Sequence, residues 1–102
     1  MIVHWIWLAT RPGISDRLKT ELVRHFQDPE NIYFADPESY RVMEELSAEG
    51  LDALKDKDLS RAEQILEDCR RENIGILTYR DAAYPQRLKN ISDPPLVFYY
   101  KG

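Results

Sequence analysis

The turn formed by residues 12–15, Pro-Gly-Ile-Ser, carries the residue types that best fit a chemical task, the binding of a phosphate group. A Gly-apolar-Gly turn between two helices offers the free backbone amides of a helix N-terminus to a phosphate. Gly13 keeps the first glycine, whereas Ser15 replaces the second and adds bulk where a DNA backbone would approach. Arg11 precedes the turn and two further cations follow it, which supplies positive charge. The candidate contacts to a DNA backbone are Gly13, Ser15, Arg17 and Lys19.

A simpler hypothesis gives the same residues a structural role alone. Ser15 then caps the following helix, and the cations lie in solvent. The charge distribution favours this hypothesis, because the formal net charge is -4 and residues 26–59 contain 3 Lys/Arg against 10 Asp/Glu. Contacts from Lys and Arg to phosphates supply most non-specific affinity for nucleic acids. The chain therefore has no broad electrostatic surface for DNA.

The other reactive side chains predict no catalytic, metal or cofactor site. His4 and His25 stand far apart, and neither has a neighbouring Cys, Asp or Glu that completes such a motif. The single cysteine, Cys69, falls on an apolar helix face and is expected to be buried and unreactive. Trp5 and Trp7 can stack on bases, but their apolar neighbours favour core packing. We expect a protein that is not an enzyme and holds no cofactor.

Acidic residues gather in the middle of the chain. They form either a docking surface for a protein partner or, more simply, a solvated face. They are Glu44, Glu45, Glu49, Asp52, Asp56 and Asp58.

Length and hydropathy indicate one small domain outside the membrane. A chain of 102 residues has little apolar area for a second core. The longest apolar stretch, residues 2–9, is far shorter than the roughly 20 residues that cross a bilayer, and no basic segment precedes it. We expect a cytoplasmic protein without membrane contact.

Helix periodicity and capping residues predict a helical unit at the start of the chain. Residues 2–9 alternate like a strand but also fit a helix, and propensity alone favours the strand. Ser15 is predicted to begin an amphipathic helix that ends near Phe26. Asp28-Pro29 and Asp36-Pro37 each signal a further start, since Asp caps free amides and Pro suits the first helical position. These two helices are predicted to end at Phe34 and near Leu46.

Residues beyond 46 predict one more helical stretch and then two strands. Gly50 is predicted to end a turn, with a brief helix over residues 51–54 after it. The clearest helix covers residues 60–72, where Ser60 and Glu63 stand at capping-box spacing. Residues 74–79 and 96–100 are short β-branched and aromatic runs that predict strands, with a short helix from Pro85 between them.

The C-terminal stretch resembles a known protein family. Its pattern is a strand, an acidic residue, Tyr-Pro, a spaced Leu and Ile, Asp-Pro-Pro, and an apolar strand that ends in Lys-Gly. The matching residues are Asp81, Tyr84-Pro85, Leu88, Ile91, Asp93-Pro94-Pro95 and Lys101-Gly102. This combination is similar to the bacterial DNA-processing protein A family, DprA or Smf, and Trp5 and the turn at residues 11–15 match the family's opening helices more loosely.

The resemblance implies a mainly α fold. Residues 1–73 would form a SAM-like helical bundle related to the helix-hairpin-helix, with residues 2–9 helical. Residues 74–102 would supply two short β-strands that begin a Rossmann-like domain. Members of the family bind single-stranded DNA and help load the recombinase RecA in natural transformation, and their DNA pocket lies in the Rossmann-like domain, beyond the position of Gly102.

Three hypotheses of function remain open. In the first hypothesis, the chain is an accessory domain that packs against the Rossmann-like domain and contacts partner proteins. Single-stranded DNA and RecA are then bound by the downstream domain. Alternatively, it is a small helix-hairpin-helix module that binds DNA backbone through Gly13, Arg17 and Lys19, or an interaction module unrelated to DNA. Exposed strand edges also predict a homodimer formed through residues 76–79 or 96–100.

Overall fold

The computed structural model describes residues 1–102 and is mainly helical, with one two-stranded antiparallel sheet. The elements in chain order are α1 (Ile2–Ala9), α2 (Asp16–Phe26), α3 (Pro29–Phe34), a 3₁₀ helix (Pro37–Val42), α4 (Ala48–Lys55), α5 (Ser60–Arg71), β1 (Ile74–Thr78), α6 (Gln86–Lys89) and β2 (Val97–Lys101). No helix combines the length and apolar character needed to span a lipid bilayer. The mainly α prediction and both predicted strands are confirmed.

Residues 2–9 form a helix, so their alternating apolar pattern does not make a strand. Val3, Ile6, Trp7 and Leu8 are all buried. Helix α1 contacts α2, α3, α5 and β2. A helix that is apolar on nearly every side is typical of a buried position. Tertiary packing thus decides against the strand, as the family resemblance implies.

Side-chain caps begin three of the helices at the predicted residues. Ser15, Asp28 and Asp36 each accept a hydrogen bond from a backbone amide two or three residues ahead. The stretch after Asp36 is a 3₁₀ helix that ends at Val42, so the predicted end near Leu46 is wrong. Long 3₁₀ runs are uncommon because their hydrogen-bond geometry is poor, and this one ends after six residues.

Gly50 lies inside helix α4, so the prediction that it ends a turn is wrong. Ser47 begins this helix by accepting a hydrogen bond from the Gly50 amide at 3.0 Å. A Cβ at Gly50 would lie 3.0 Å from Ile14 Cγ1 and 3.1 Å from the Gly13 carbonyl oxygen. The glycine therefore permits close approach of the α1–α2 turn to α4.

The predicted capping box of α5 is also wrong. Ser60 is the first residue of the helix, and no side chain at the preceding Leu59 caps it. Instead, the Ser60 amide donates to Asp58 Oδ1 at 2.9 Å. In a capping box the Ser60 amide would donate to the Glu63 side chain, and the Glu63 amide to the Ser60 hydroxyl. Here the Glu63 amide donates to the Leu59 carbonyl at 2.8 Å.

The two strands pair antiparallel and share the core of the helices. The register runs from Ile74 opposite Lys101 to Thr78 opposite Val97. Leu96 and Val97 belong to the same cluster of buried side chains as the helical residues, and β2 contacts α1. The sheet therefore packs on the bundle, and residues 1–73 and 74–102 are joined through one core.

Candidate functional site

The turn between α1 and α2 has the backbone geometry of a tight helix–helix connection. Gly13 has φ of +76°, in the left-handed region that favours glycine. Ser15 Oγ accepts a hydrogen bond from the Leu18 amide at 3.1 Å, which confirms its predicted capping role. The Ser47 hydroxyl donates to the Gly13 carbonyl at 3.3 Å and ties the turn to the start of α4.

The two cations of α2 nearest this turn are both engaged within the protein. Lys19 is buried, and its Nζ donates to the Ala9 carbonyl at 2.6 Å. Burial lowers the pKa of Lys19. Arg17 pairs with the Glu45 carboxylate, whose hydrogen bond raises the pKa of Arg17. The Lys19 ammonium therefore points away from a ligand at the turn, and the Arg17 charge is already paired.

An acidic side chain covers the glycine of the turn. A Cβ at Gly13 would lie 2.7 Å from Glu49 Cγ and 2.8 Å from Glu49 Oε1. A phosphate that approached the amides of the turn would come close to the Glu49 carboxylate. The two negative charges would repel each other. Glu45 adds a second negative charge nearby through its pair with Arg17. Of the four predicted DNA-backbone candidates, Gly13 and Arg17 thus lie against carboxylates, Ser15 caps α2, and Lys19 is turned into the bundle.

Arg11, which precedes the turn, holds the inside of the bundle together. Its side chain is 8% exposed. Nε donates to the Trp7 carbonyl at 2.9 Å, and Nη1 donates to the Ala53 carbonyl at 3.1 Å. Asp56 Oδ2 lies 3.5 Å from the same Nη1 and supplies the counter-charge. A buried charge with hydrogen bonds on both sides stabilises the contact of α1 with α4.

Lys57 occupies an aromatic cage that the sequence did not reveal. Its ammonium lies 5.1 Å from the ring centres of Trp7 and Tyr33 and 5.5 Å from that of Tyr40. It donates to Tyr40 Oη at 2.9 Å and to the Leu54 carbonyl at 2.6 Å. The cage joins α1, α3 and the 3₁₀ helix to the loop after α4. Ring faces attract a cation, so the lysine acts as a tie between these elements.

Lys57 gives a testable pH dependence of stability. Burial, with the Arg11 charge as the lesser cause, lowers the pKa of Lys57 to about 8, whereas an unfolded lysine titrates near about 10.4. Between these values the unfolded chain binds more protons, so the free energy of unfolding rises with pH. We expect Tm to rise from about pH 8 to about pH 9.5 in calorimetry, before unfolded tyrosines ionise. The ring faces stabilise the charged form and make the rise smaller than burial alone would give.

Two variants isolate the contribution of Lys57. Lys57→Met flattens most of the rise, and the part that remains is assigned to Lys19, whose pKa is lowered in the same direction. Lys55→Met, at an exposed lysine in the last turn of α4, leaves the profile unchanged. A wild-type Tm that is flat or falls over this range would contradict the buried amine.

Arg11 and Lys57 thus make polar contacts inside the helical bundle. No family model, curated protein or solved structure matches this chain.

The acidic residues, Cys69 and His4 take positions that need no functional explanation. The six acidic residues of the predicted docking surface are all exposed. Cys69 is buried, as predicted. His4 is buried with Nδ1 unpartnered, packs edge-on to Tyr33 at 4.9 Å, and has its pKa lowered by burial and then by the N-terminal charge. No group of three or more His, Cys, Asp or Glu side chains is arranged to hold a metal ion.

Proposed function

We propose that this chain is the N-terminal module of a DNA-processing protein of the DprA/Smf family. In this proposal a SAM-like helical bundle packs beside a Rossmann-like domain to which β1 and β2 belong. The module acts in packing and protein interaction and carries out no catalysis. Single-stranded DNA and RecA are bound downstream, in the cytoplasm, during natural transformation.

The main support is the way in which the two family-like motifs meet. The Tyr84 hydroxyl donates to the Pro95 carbonyl at 2.6 Å, which joins the Tyr-Pro motif to the Asp-Pro-Pro motif. Tyr84 is 3% exposed and Pro94 is buried. Proline fixes the backbone and removes an amide donor, so Pro85 sets where α6 begins and Pro94-Pro95 set where β2 begins. Residues that carry a resemblance and also contact each other support a shared architecture.

The sheet offers a second line of support. Strands β1 and β2 pair only with each other, so each has an outer edge without a strand partner. A two-stranded sheet is marginal alone, and its edges pair readily with further strands. Tyr99 and Tyr100 on β2 are each 43% exposed. These features fit a sheet that continues in a larger domain.

The electrostatics of the turn favour the accessory role over independent DNA binding. Glu49 covers Gly13, Glu45 pairs with Arg17, and Lys19 points to a carbonyl. The formal net charge of -4 adds a general repulsion of polynucleotides. The exposed acidic residues of the middle segment remain available to a protein partner.

Reading the gene downstream of Gly102 tests the proposal at little cost. We expect it to encode a nucleotide-fold domain with glycine-rich and basic motifs. The extended protein should then bind single-stranded DNA at least about a hundredfold more tightly than this chain, as for a specific pocket added to a weak surface. A stop codon at this point, or equal affinities for the two proteins, would overturn the proposal.

A further inference from the structure

Two cavities border the segment between α6 and β2, one of them facing α2. One is polar with a volume of about 70 Å³, and the other is mainly apolar with a volume of about 380 Å³. Ile91 lines both, so the two cavities are neighbours. Gly13, Ser15 and Lys19 line neither, so these cavities are distinct from the α1–α2 turn.

The polar cavity gathers three cations from two elements. Arg17 and Arg24 come from α2, and Lys89 comes from α6. Ser92 adds a hydroxyl. Arg24 pairs with Glu21 at 2.8 Å in an exposed ion pair. Exposed pairs contribute little net free energy, so the Arg24 guanidinium is free to turn to a stronger anion. Arg17 lines the cavity with its charge already paired with Glu45.

Lys89 is the cation with the least competition. It forms no ion pair, and its ammonium lies 5.3 Å and 5.8 Å from the ring centres of Tyr79 and Tyr84. These two rings hold the amine in a cage that leaves its charge uncompensated by a carboxylate. A phosphate in the polar cavity would supply the missing counter-charge.

The neighbouring carboxylates limit what the cavity accepts. Glu21 lines it, Glu45 pairs with Arg17, and Asp93 is close enough to Arg17 to act on its charge. A volume of about 70 Å³ holds several water molecules or one tetrahedral anion. A second phosphate would meet these acidic groups and be repelled. The site thus fits one phosphate group and does not accommodate the successive phosphates of a polynucleotide.

The apolar cavity fits a flat ring. Pro85, Leu88, Ile91 and Phe98 line it together with Arg87. Its volume lies within the range of about 300–1,000 Å³ typical of ligand pockets. Aromatic rings and guanidinium planes both stack on nucleobases. A base placed here would lie next to a phosphate in the polar cavity.

We propose that the two cavities form one binding site for a nucleoside monophosphate. Arg24 and Lys89 hold the phosphate, and the base packs against Leu88 and Phe98. This site goes beyond the proposed function and does not depend on it, because it needs neither a downstream domain nor a DNA strand.

An NMR titration of the ¹⁵N-labelled chain tests the site. The probes are adenosine monophosphate, adenosine and inorganic phosphate, each added to millimolar concentration. We expect adenosine monophosphate to give saturable shifts at the amides near Arg24, Lys89 and Phe98. It should bind at least about tenfold more tightly than either partial ligand, because only it fills both cavities. Absent or non-saturating shifts, shifts elsewhere, or equal binding of inorganic phosphate would overturn the site.

Matched variants separate the two halves of the site. Arg24→Gln and Lys89→Met should each weaken nucleotide binding about tenfold, the loss of one charge-assisted contact. Phe98→Leu should weaken the nucleotide but leave inorganic phosphate unchanged. Arg70→Gln is the control, since Arg70 forms the same kind of exposed pair, with Glu67, away from both cavities. Unchanged amide dispersion elsewhere in the spectrum shows that each variant is folded.

Three outcomes would contradict the site at this stage. They are an equal loss with Arg70→Gln, no loss with Lys89→Met, and tighter binding of an oligonucleotide with several ions released. None of them bears on whether a downstream domain binds DNA, so the two proposals fail separately.

Discussion

Replacement of Trp7 by alanine is expected to lower the free energy of unfolding by about 3–5 kcal/mol, the cost of truncating a large buried aromatic side chain. Trp7 is fully buried. Its Nε1 donates to the Asp56 carbonyl at 2.8 Å, and its ring lies against Lys57 at 5.1 Å and Arg11 at 5.3 Å. The variant thus removes a core side chain and one wall of the lysine cage together. Urea unfolding followed by circular dichroism measures the loss.

Trp5→Ala is the matched control for this prediction. Trp5 lies in the same helix but is only half-buried, and Arg80 stands 6.0 Å from its ring centre. We expect a loss of less than half that of Trp7→Ala, because Trp5 buries less apolar area on folding. Equal losses at the two positions, or a loss at Trp7 under about 1 kcal/mol, would show that α1 is not the centre of the core.

Arg11→Met is expected to cost about 2 kcal/mol, because two carbonyls each lose one hydrogen bond from a charged donor. Those carbonyls belong to Trp7 and Ala53, and the methionine side chain keeps much of the apolar stem. The loss of a buried charge offsets part of the cost, which keeps the figure well below that of Trp7→Ala. Thermal and urea unfolding of the same variant give two measurements of the change.

Arg41→Met serves as the control for Arg11→Met. Arg41 is exposed and pairs only with Glu38 on the same 3₁₀ helix. Surface substitutions of this kind stay within about 0.5 kcal/mol. Should Arg11→Met fall within the same limit, its hydrogen bonds to the α1 and α4 carbonyls would contribute nothing to stability.

The helix starts that depend on a local side chain were predictable from sequence. Ser15, Asp28 and Asp36 bond to amides two or three residues ahead, so the signal and its effect lie within one turn. Residues 2–9 were ambiguous because alternation and helical periodicity both fit them. Packing from four elements decides the outcome, and no local pattern contains that information.

Two wrong predictions have the same origin. Gly50 was assigned to a helix end, yet its missing Cβ serves contacts with Gly13 and Ile14, far away in sequence. Ser60 and Glu63 fit a capping box locally, but Ser60 is already inside the helix and its amide donates to Asp58. A glycine can end a helix or permit close packing, and a serine can cap a helix or lie inside it. Which role applies depends on neighbours that are brought close only by the fold.

The residues around the turn show how far a site can be predicted. The positions of Gly13 and Ser15 follow from the sequence, but the carboxylate of Glu49 comes from a helix more than thirty residues later. The side chain of Lys19 turns to a carbonyl of the preceding helix. Lys57 had no local signal at all, because its three aromatic neighbours come from three separate elements.

The most direct test of the account is the affinity of this chain for a polynucleotide. A labelled single-stranded oligonucleotide is titrated with the chain and followed by fluorescence anisotropy at low and at physiological salt. We predict a Kd weaker than about 10⁻⁴ M at about 0.15 M salt, beyond the range typical of non-specific binders. Arg17→Glu should leave that weak binding unchanged. Micromolar binding that Arg17→Glu abolishes, with several ions released as salt rises, would contradict the accessory role and favour a helix-hairpin-helix module.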